Sequence, residues 1–420
     1  MSSRGRRSSS VPLLLCEQLT GQLDPAIDRE ADDDAMTSGS APQMALNVLI
    51  VGGGVAALEA ALALRELGGG HIATTMIAPN SEFVYRPMTV GEPFSYPLAH
   101  RYPLEPIARD LGIELRADSF KWLEPKDRIL HTEAGERLSY DGLLFALGAR
   151  LHPRFRHATT IDDARIDELL HGLVQDIEGG YVHRLAFVIP PGRTWSLPIY
   201  ELALLCSACA FDATSNLSIT ICTPEDAPLA IFGGEASAGV QKLLEEHGIL
   251  TITSVHCEVP ESGRVSINPG ARELHADRIV ALPELVGPSV PGVPGRSERG
   301  FIEVDSRGKV RGLERVYAAG DATDFAIKHG GIAAQQADVA AQSIAALAGL
   351  APEPAPFRPV IHGMLLTGSK PRYLSAHVTG GHGSSSEFSE TCTWSPPTKI
   401  VAKYLAPYLQ ERDRLAASPT

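Results

Sequence analysis

The residues that could do chemistry fall in three widely separated places. Gly52, Gly53 and Gly54 sit in a row, with Ala57 three positions on, in the stretch NVLIVGGGVAALEAALALREL from Asn47 to Leu67. A pyrophosphate can be held by the free N–H groups at a helix N-terminus, and the backbone reaches it only where side chains are absent. Gly52 would make the turn, Gly54 would admit the phosphates, and Ala57 would let helix and strand pack closely. Far downstream, Asp321 follows Gly320 at the end of an apolar run in VYAAGDATDF. That carboxylate is either a turn residue or an acceptor for a cofactor hydroxyl. Lys328 and Glu201 are further charged candidates, and Cys392 is a candidate thiol. Cys206 and Cys209 are three apart, the spacing of a redox dithiol, but they lie inside an apolar helix pattern, not at the helix N-terminus that would activate a thiol. They are expected to be core residues.

These groups need elements to carry them. Val48 to Val51 reads as a buried strand and Ala57 to Leu67 as a helix, so the glycines form a strand-to-helix turn. Ile72 to Ile77 reads as a second strand ending at Ala78. Roughly twenty residues past the glycines an Asp or Glu ordinarily accepts from ribose hydroxyls; here either Asn80 or Ser81 substitutes, or the nucleotide binds more weakly. The segment Glu82 to Pro97 reads as a loop anchored by Phe83, Tyr85, Phe94 and Tyr96. It either caps the core or brings Arg86 to the cofactor. Residues 113–148 read as a β-meander returning to a buried strand, Leu143 to Leu147, with Gly148 at its end.

A second strand–turn–helix unit starts at Leu185, with a helix from Ile199 to about Phe211 and a strand from Leu217 to Cys222. Its loop, PPGRTWSLP, keeps only Gly192, and Pro190 and Pro191 remove two N–H donors. Gly192, Arg193 and Glu225 are the remaining supports for a nucleotide there. After Asp321 an Ala/Gln-rich helix is expected from about Ile332 to Leu347. The remainder is expected to hold short strands, a Gly/Ser-rich loop from Gly380 to Ser386, and a helix from Lys399 to Arg414. Tyr404, Leu405, Tyr408 and Leu409 on it could face the core, a partner subunit or a membrane surface.

Composition narrows the partners. The 420 residues are 44% hydrophobic and 21% charged with a net charge of -13, which suits small-molecule ligands and offers no basic patch for nucleic acid or anionic lipid. No apolar run approaches the roughly 18 residues of a membrane span. The six scattered cysteines fit reduced thiols in a cytoplasmic setting. Residues 1–43 are rich first in Ser and Arg and then in acidic residues, and are expected to form a disordered tail. A chain beginning at Met44 is expected to keep its melting temperature.

Three pieces taken together, VGGGVAALEA, YDGLLFALGAR (Tyr140 to Arg150) and VYAAGDATDF (Val316 to Phe325), resemble the two-dinucleotide-domain flavoproteins. That superfamily includes pyridine nucleotide-disulfide oxidoreductases, type II NADH dehydrogenases and sulfide:quinone oxidoreductases. The resemblance implies an α/β fold with two Rossmann-like domains. Residues 44–150 and 291–356 would make the FAD-binding domain, 151–290 the second domain with its degraded fingerprint, and 357–420 a small C-terminal α+β region. It also implies FAD as cofactor. Gly52, Gly54 and Ala57 would hold the pyrophosphate, Ala146 and Gly148 would lie beside the cofactor, and Asp321 would bind the ribityl chain. The helix after Gly331, entered at Ile332, would aim its N-terminus at the flavin pyrimidine, where reduced flavin carries negative charge.

The function so implied is transfer of electrons from a small reductant, NAD(P)H or a sulfur compound, through flavin to an acceptor such as a quinone. The alternatives are a flavin- or nucleotide-binding protein without turnover, and a sulfide:quinone oxidoreductase. Departures matter too: no C-x-x-C lies in the first-domain helix and no cysteine lies between Arg193 and Glu201, which leaves Cys392 as at most half of a redox pair. Any membrane association would be peripheral.

Overall fold

The computed structural model describes residues 45–295, 297–379 and 382–417. The tail over 1–43, Met44 and Cys16 lie outside the described residues. The strand that opens the fold, Leu46–Val51, is central in a five-stranded parallel sheet. Ile72–Ile77 and then Glu114–Arg116 lie on one side of it, and Gly142–Phe145 and then Val316–Ala318 on the other. Val48, Ile50, Leu143, Leu144 and Phe145 are fully buried, which is why they read as continuous apolar runs. The last strand pairs with residues 173 positions earlier (Leu143↔Val316 to Phe145↔Ala318), so the chain leaves this sheet and returns to complete it.

The excursion builds a second parallel sheet in the order Thr159–Thr160, Arg278–Ala281, Arg184–Val188, Ser218–Cys222, Leu250–Ile252. Two antiparallel meanders accompany the sheets, Phe120–Glu124 with Ile129–Thr132 and Arg137–Ser139, and His256–Glu261 with Arg264–Asn268 and Arg272–His275. The first is the meander that the turn residues predict. The fold class expected from the sequence, α/β with two Rossmann-like units, is the one observed.

Two helices cover the site side of the first sheet. Val55–Gly68 and Gly330–Leu347 both present alanines to one core, Ala56, Ala57, Ala60 and Ala61 from one, Ala333, Ala337 and Ala340 from the other. Such small faces let the two helices and the strand ends approach closely. At Gly320, φ is +77° and an added Cβ would sit 3.2 Å from Ala333 and 3.3 Å from Ala56, so only glycine fits where both helices meet that turn.

Several expected elements differ. Residues 82–97 are not a loop: Glu82–Val84 pairs as a strand with Arg101–Pro103, and Arg86–Phe94 winds as a 3₁₀ helix. The Gly/Ser-rich stretch expected as a loop supplies the strand His382–Ser389 of a three-stranded sheet with Val360–Leu365 and Arg372–Thr379. Cross-strand pairing, which composition does not report, decides this. The last helix is Leu405–Ala417 rather than Lys399 to Arg414. Leu405 and Leu409 are buried in the first-sheet core with Tyr404 and Tyr408 packed against it, so this helix faces the core. Among the described residues no helix is long and apolar enough to cross a membrane.

The start of that helix is fixed from a distance. Glu59, fully buried in the first helix, accepts from the backbone N–H groups of Lys403 (2.8 Å), Tyr404 (3.0 Å) and Leu405 (2.6 Å). A remote carboxylate thus caps the orphan donors of the terminal helix. Burial pushes the Glu59 carboxyl up while the three backbone donors pull it down. Replacing Glu59 with Ala is expected to cost about 1.5–3 kcal/mol, the range for hydrogen bonds to a charged group. Hydrogen exchange should accelerate selectively over 403–417; uniform exchange would refute the capping role.

Candidate functional site

The glycine turn stands at the carboxyl end of the central strand, where ligands of open parallel sheets bind. Gly52 has φ +129°, and an added Cβ would lie 2.2 Å from the Ala146 carbonyl oxygen, so the turn is packed directly on the end of the neighbouring strand. Gly53 is tight as well, with Leu104 and Ala78 near its missing side chain. Gly54 differs: nothing lies within 4 Å of an added Cβ there. It caps a helix with no acidic residue in its first turn. The structure therefore offers an open cradle over free helix N–H groups, bounded by Ala146 and by Gly148, whose φ is +69°.

Ala57 is buried against the strand as its small size requires.

At the other end of the same edge, the Gly320–Asp321 turn is pinned by Gln336 of the following helix, whose Oε1 accepts from Gly320 N at 2.8 Å. Thr323 Oγ1 donates to the Gly320 carbonyl at 2.8 Å. Burial raises the Asp321 carboxyl, with Lys328 and Arg86 pulling it the other way. Lys328 is buried, donates from Nζ to the Asp321 carbonyl at 3.1 Å and to Thr323 O, and stands 4.0 Å over the Phe301 ring. Desolvation lowers its ammonium to about 8, against the attraction of Asp321. Gly331 and Ile332 are buried in the first turn of Gly330–Leu347.

Arg86 is exposed at the start of the 3₁₀ helix, and its charge acts on Asp321 and on Asp163, a carboxyl raised by burial. Asp163 belongs to none of the motifs above. The pattern Asp162-Asp163 just before the helix Ile166–Glu178 was the available signal.

Glu201 and Cys392 take other positions. Glu201 is fully buried in the second turn of Leu197–Asp212. Its Oε1 accepts from Lys399 Nζ at 2.6 Å and from Leu366 N at 2.9 Å. Lys399 also donates to the Pro87 carbonyl at 2.8 Å, beside Arg86. Desolvation raises Glu201 and lowers Lys399, each opposed by its partner, and Lys399 also feels Asp163. Lys399, expected as a helix start, is instead half of a buried ion pair. Cys392 is half-buried, and its thiol donates to the Trp394 carbonyl at 3.2 Å. The five described cysteines are free. Burial holds Cys206 far up and Cys209 at about 11, so both are poor nucleophiles.

The second sheet's equivalent loop is closed from within. Glu225 accepts from Ser196 Oγ (2.8 Å), Tyr200 OH (2.6 Å) and Thr223 Oγ1 (3.0 Å), so it fastens the loop to its own helix. An added Cβ at Gly192 would meet Arg299 Nη1 at 2.7 Å. Arg193, expected to reach a nucleotide phosphate, lies with its guanidinium 5.3 Å from the Phe301 ring and with Nη1 buried and unpartnered. It also bears electrostatically on Lys328. Among the described residues no group of His, Cys, Asp and Glu could hold a metal ion.

Two parallel dinucleotide-type sheets, with a glycine cradle on the first and a loop closed from within on the second, define a protein with the fold of the pyridine nucleotide-disulfide oxidoreductases. No protein-family profile matches the chain. Over 392 residues it is 24% identical to the alternative NAD(P)H-ubiquinone oxidoreductase C1 of Arabidopsis thaliana, covering 81% of this chain and 74% of that protein. It superimposes on the sulfide:quinone oxidoreductase of Aquifex aeolicus with a TM-score of 0.71 at 19% identity, over 82% of this chain and 87% of that one. For the NDH2 of Plasmodium falciparum the TM-score is 0.55 at 14% identity, over 68% and 65%. At these identities the solved structures establish the fold.

Proposed function

We propose that this chain is an FAD-dependent oxidoreductase that passes electrons from a small reductant through noncovalent flavin to a quinone-type acceptor. The carrying observation is the open space over Gly54, at the N-terminus of a helix with no acidic residue in its first turn, on the same sheet edge as half-buried Asp321. Gly52, Gly54 and Ala57 would hold the pyrophosphate, with Ala146 and Gly148 alongside and Asp321 on the ribityl hydroxyls. Arg86 would approach from the 3₁₀ helix. The Gly331–Ile332 turn would point its N–H groups at the flavin, and Lys328 would add positive potential nearby. Bound flavin would supply the hydride and electron chemistry; the chain's residues bind, orient and keep water out. Residues 44–150 and 291–356 form the flavin domain in this reading, 151–290 the second domain, and 357–420 a C-terminal region closing over it.

Quinone as acceptor is supported by the names of the Arabidopsis and Aquifex proteins. An aqueous, cytoplasmic-type compartment with at most peripheral membrane contact suits the acidic composition. The deciding experiment is the visible spectrum of purified protein, then anaerobic addition of NADH, NADPH or sulfide, followed by a short-chain ubiquinone. A flavin spectrum that one donor bleaches and the quinone restores is expected. Protein without flavin would refute the reading.

A specific observation favours a donor other than a nicotinamide nucleotide: Glu225 is committed to Ser196 and Tyr200, and Arg299 overlies Gly192. Arg193→Ala should accordingly alter the flavin spectrum or its retention and leave the KM of any NADH reaction within about twofold, since charge-assisted phosphate bonds are not at stake. A large rise in KM with an unchanged spectrum would restore the nucleotide-phosphate role.

A further inference from the structure

Outside the residues used so far, buried imidazoles run from the flavin-side helix toward the surface. His329 is the residue immediately before Gly330–Leu347, is only 8% exposed, and leaves Nδ1 without a partner. Its ring centre is 4.5 Å from that of Trp195. His362 lies on the strand Val360–Leu365, its ring 4.9 Å from Trp394, and its Nδ1 is likewise buried and unpartnered. The register places His362 opposite Ser375 and Ser375 opposite Glu387. Ser375 Oγ donates to Glu387 Oε2 at 2.9 Å.

Alternation along the strands sends Ile361, Leu365, Leu374 and Ala376 into the core. It leaves His362, Ser375, His377 and Glu387 on the opposite face. His377 is exposed at the outer end. The titratable groups that bear on this row are those of the row itself, His362 on His329, and His377 and Glu387 on His362. Burial, then the proximity of His362, holds the His329 imidazolium down at about 3, and His362 is lowered by burial and by His377. Both rings are thus neutral, each with one donor and one acceptor nitrogen, the form that can take a proton on one side and release it on the other. An unpartnered buried nitrogen costs about 1–3 kcal/mol, and two of them in sequence call for a use.

The proposed reaction supplies that use, and this inference rests on it. In NAD(P)H + H⁺ + Q → NAD(P)⁺ + QH₂ the donor gives two electrons and one proton, and the second proton comes from solvent. In HS⁻ + H⁺ + Q → S⁰ + QH₂ the account is the same. We propose that His329, His362 and the Ser375–Glu387–His377 face of the hairpin form the path along which that solvent proton reaches the helix N-terminus. Trp195 and Trp394 wall the path against bulk water.

The test uses holoprotein labelled with ¹⁵N-histidine, in wild-type, His362→Gln and His377→Gln forms. NMR measures exchange of the His329 ring N–H with solvent; stopped flow measures reoxidation of donor-reduced protein by a short-chain ubiquinone in H₂O and D₂O. His362→Gln should slow His329 exchange about tenfold or more and reoxidation by about 100-fold, the scale of a lost proton-transfer group. Its solvent isotope effect should increase, with flavin content and anaerobic bleaching unchanged. His377→Gln, at the surface, should slow both less and be relieved by added imidazole buffer; it decides the matter alone if the buried variant does not fold. Wild-type exchange in the variants, or slowed exchange with unaltered reoxidation, overturns the path. Wild-type protein that no donor bleaches sinks the oxidoreductase reading instead, and the exchange measurement then still shows whether His329 reaches solvent through His362.

Discussion

Gly54→Val is expected to purify as a folded protein without flavin. Nothing in the chain approaches within 4 Å of the new Cβ, and the backbone at Gly54, φ −93° and ψ −166°, is extended and open to any residue. The cost to the apoprotein is then the poorer helix cap alone, on the order of 1 kcal/mol. What the valine fills is the approach to the first-turn N–H groups, where a pyrophosphate must come close to be held. Gly52→Val is the contrasting control, because φ +129° and the Ala146 carbonyl oxygen at 2.2 Å make it a folding defect. The measurement is flavin absorbance per chain together with the melting temperature of the flavin-free protein. Gly54→Val with full flavin occupancy would show that this turn does not hold the cofactor.

The contrast between these two glycines also marks how far the sequence could be read. Glycine spacing and the apolar runs Val48–Val51 and Ile72–Ile77 located the turn and both strands, because a buried parallel strand has a local signature. Cys206 is a core residue for a similarly local reason, its position inside an apolar helix, whereas Cys209, expected in the core with it, is half-buried at the core's edge. The failures are non-local. Glu59 caps a helix 344 to 346 residues away, and Glu201 meets Lys399 198 residues on. A carboxylate inside an Ala/Leu helix announces that a partner exists, since a buried charge must be compensated, without saying which. The strand His382–Ser389 was hidden by its Gly and Ser content and is held by pairing with Arg372–Thr379. The imidazole row is invisible until that pairing sets which faces His362 and His377 share.

Lys399→Met is the second variant with a large expected effect, and its pH dependence tests the charge state of the pair. Lys399 and Glu201 side chains are 4% and 1% exposed, and Nζ lies 2.6 Å from Oε1. Removing the lysine strands a carboxylate whose other bond is from Leu366 N, and uncompensated buried charges of this kind cost about 3–5 kcal/mol. Without its partner, burial acts on Glu201 opposed only by the Leu366 N–H, and raises its folded-state pKa above the unfolded value near 4.5. A group so raised is stabilising in its protonated form below the unfolded pKa, and that stability is lost as pH climbs through the folded pKa. The variant should therefore lie nearest the wild type at about pH 5 and fall progressively behind toward pH 8 in urea unfolding. Adding Glu201→Gln should recover more than half of the loss at pH 8, because the amide leaves no charge to strand. A deficit that is the same at both pH values, or a double variant no better than the single one, would mean that the pair is not ionised. The contact of Lys399 with the Pro87 carbonyl would then be what ties the C-terminal segment to the Arg86 helix.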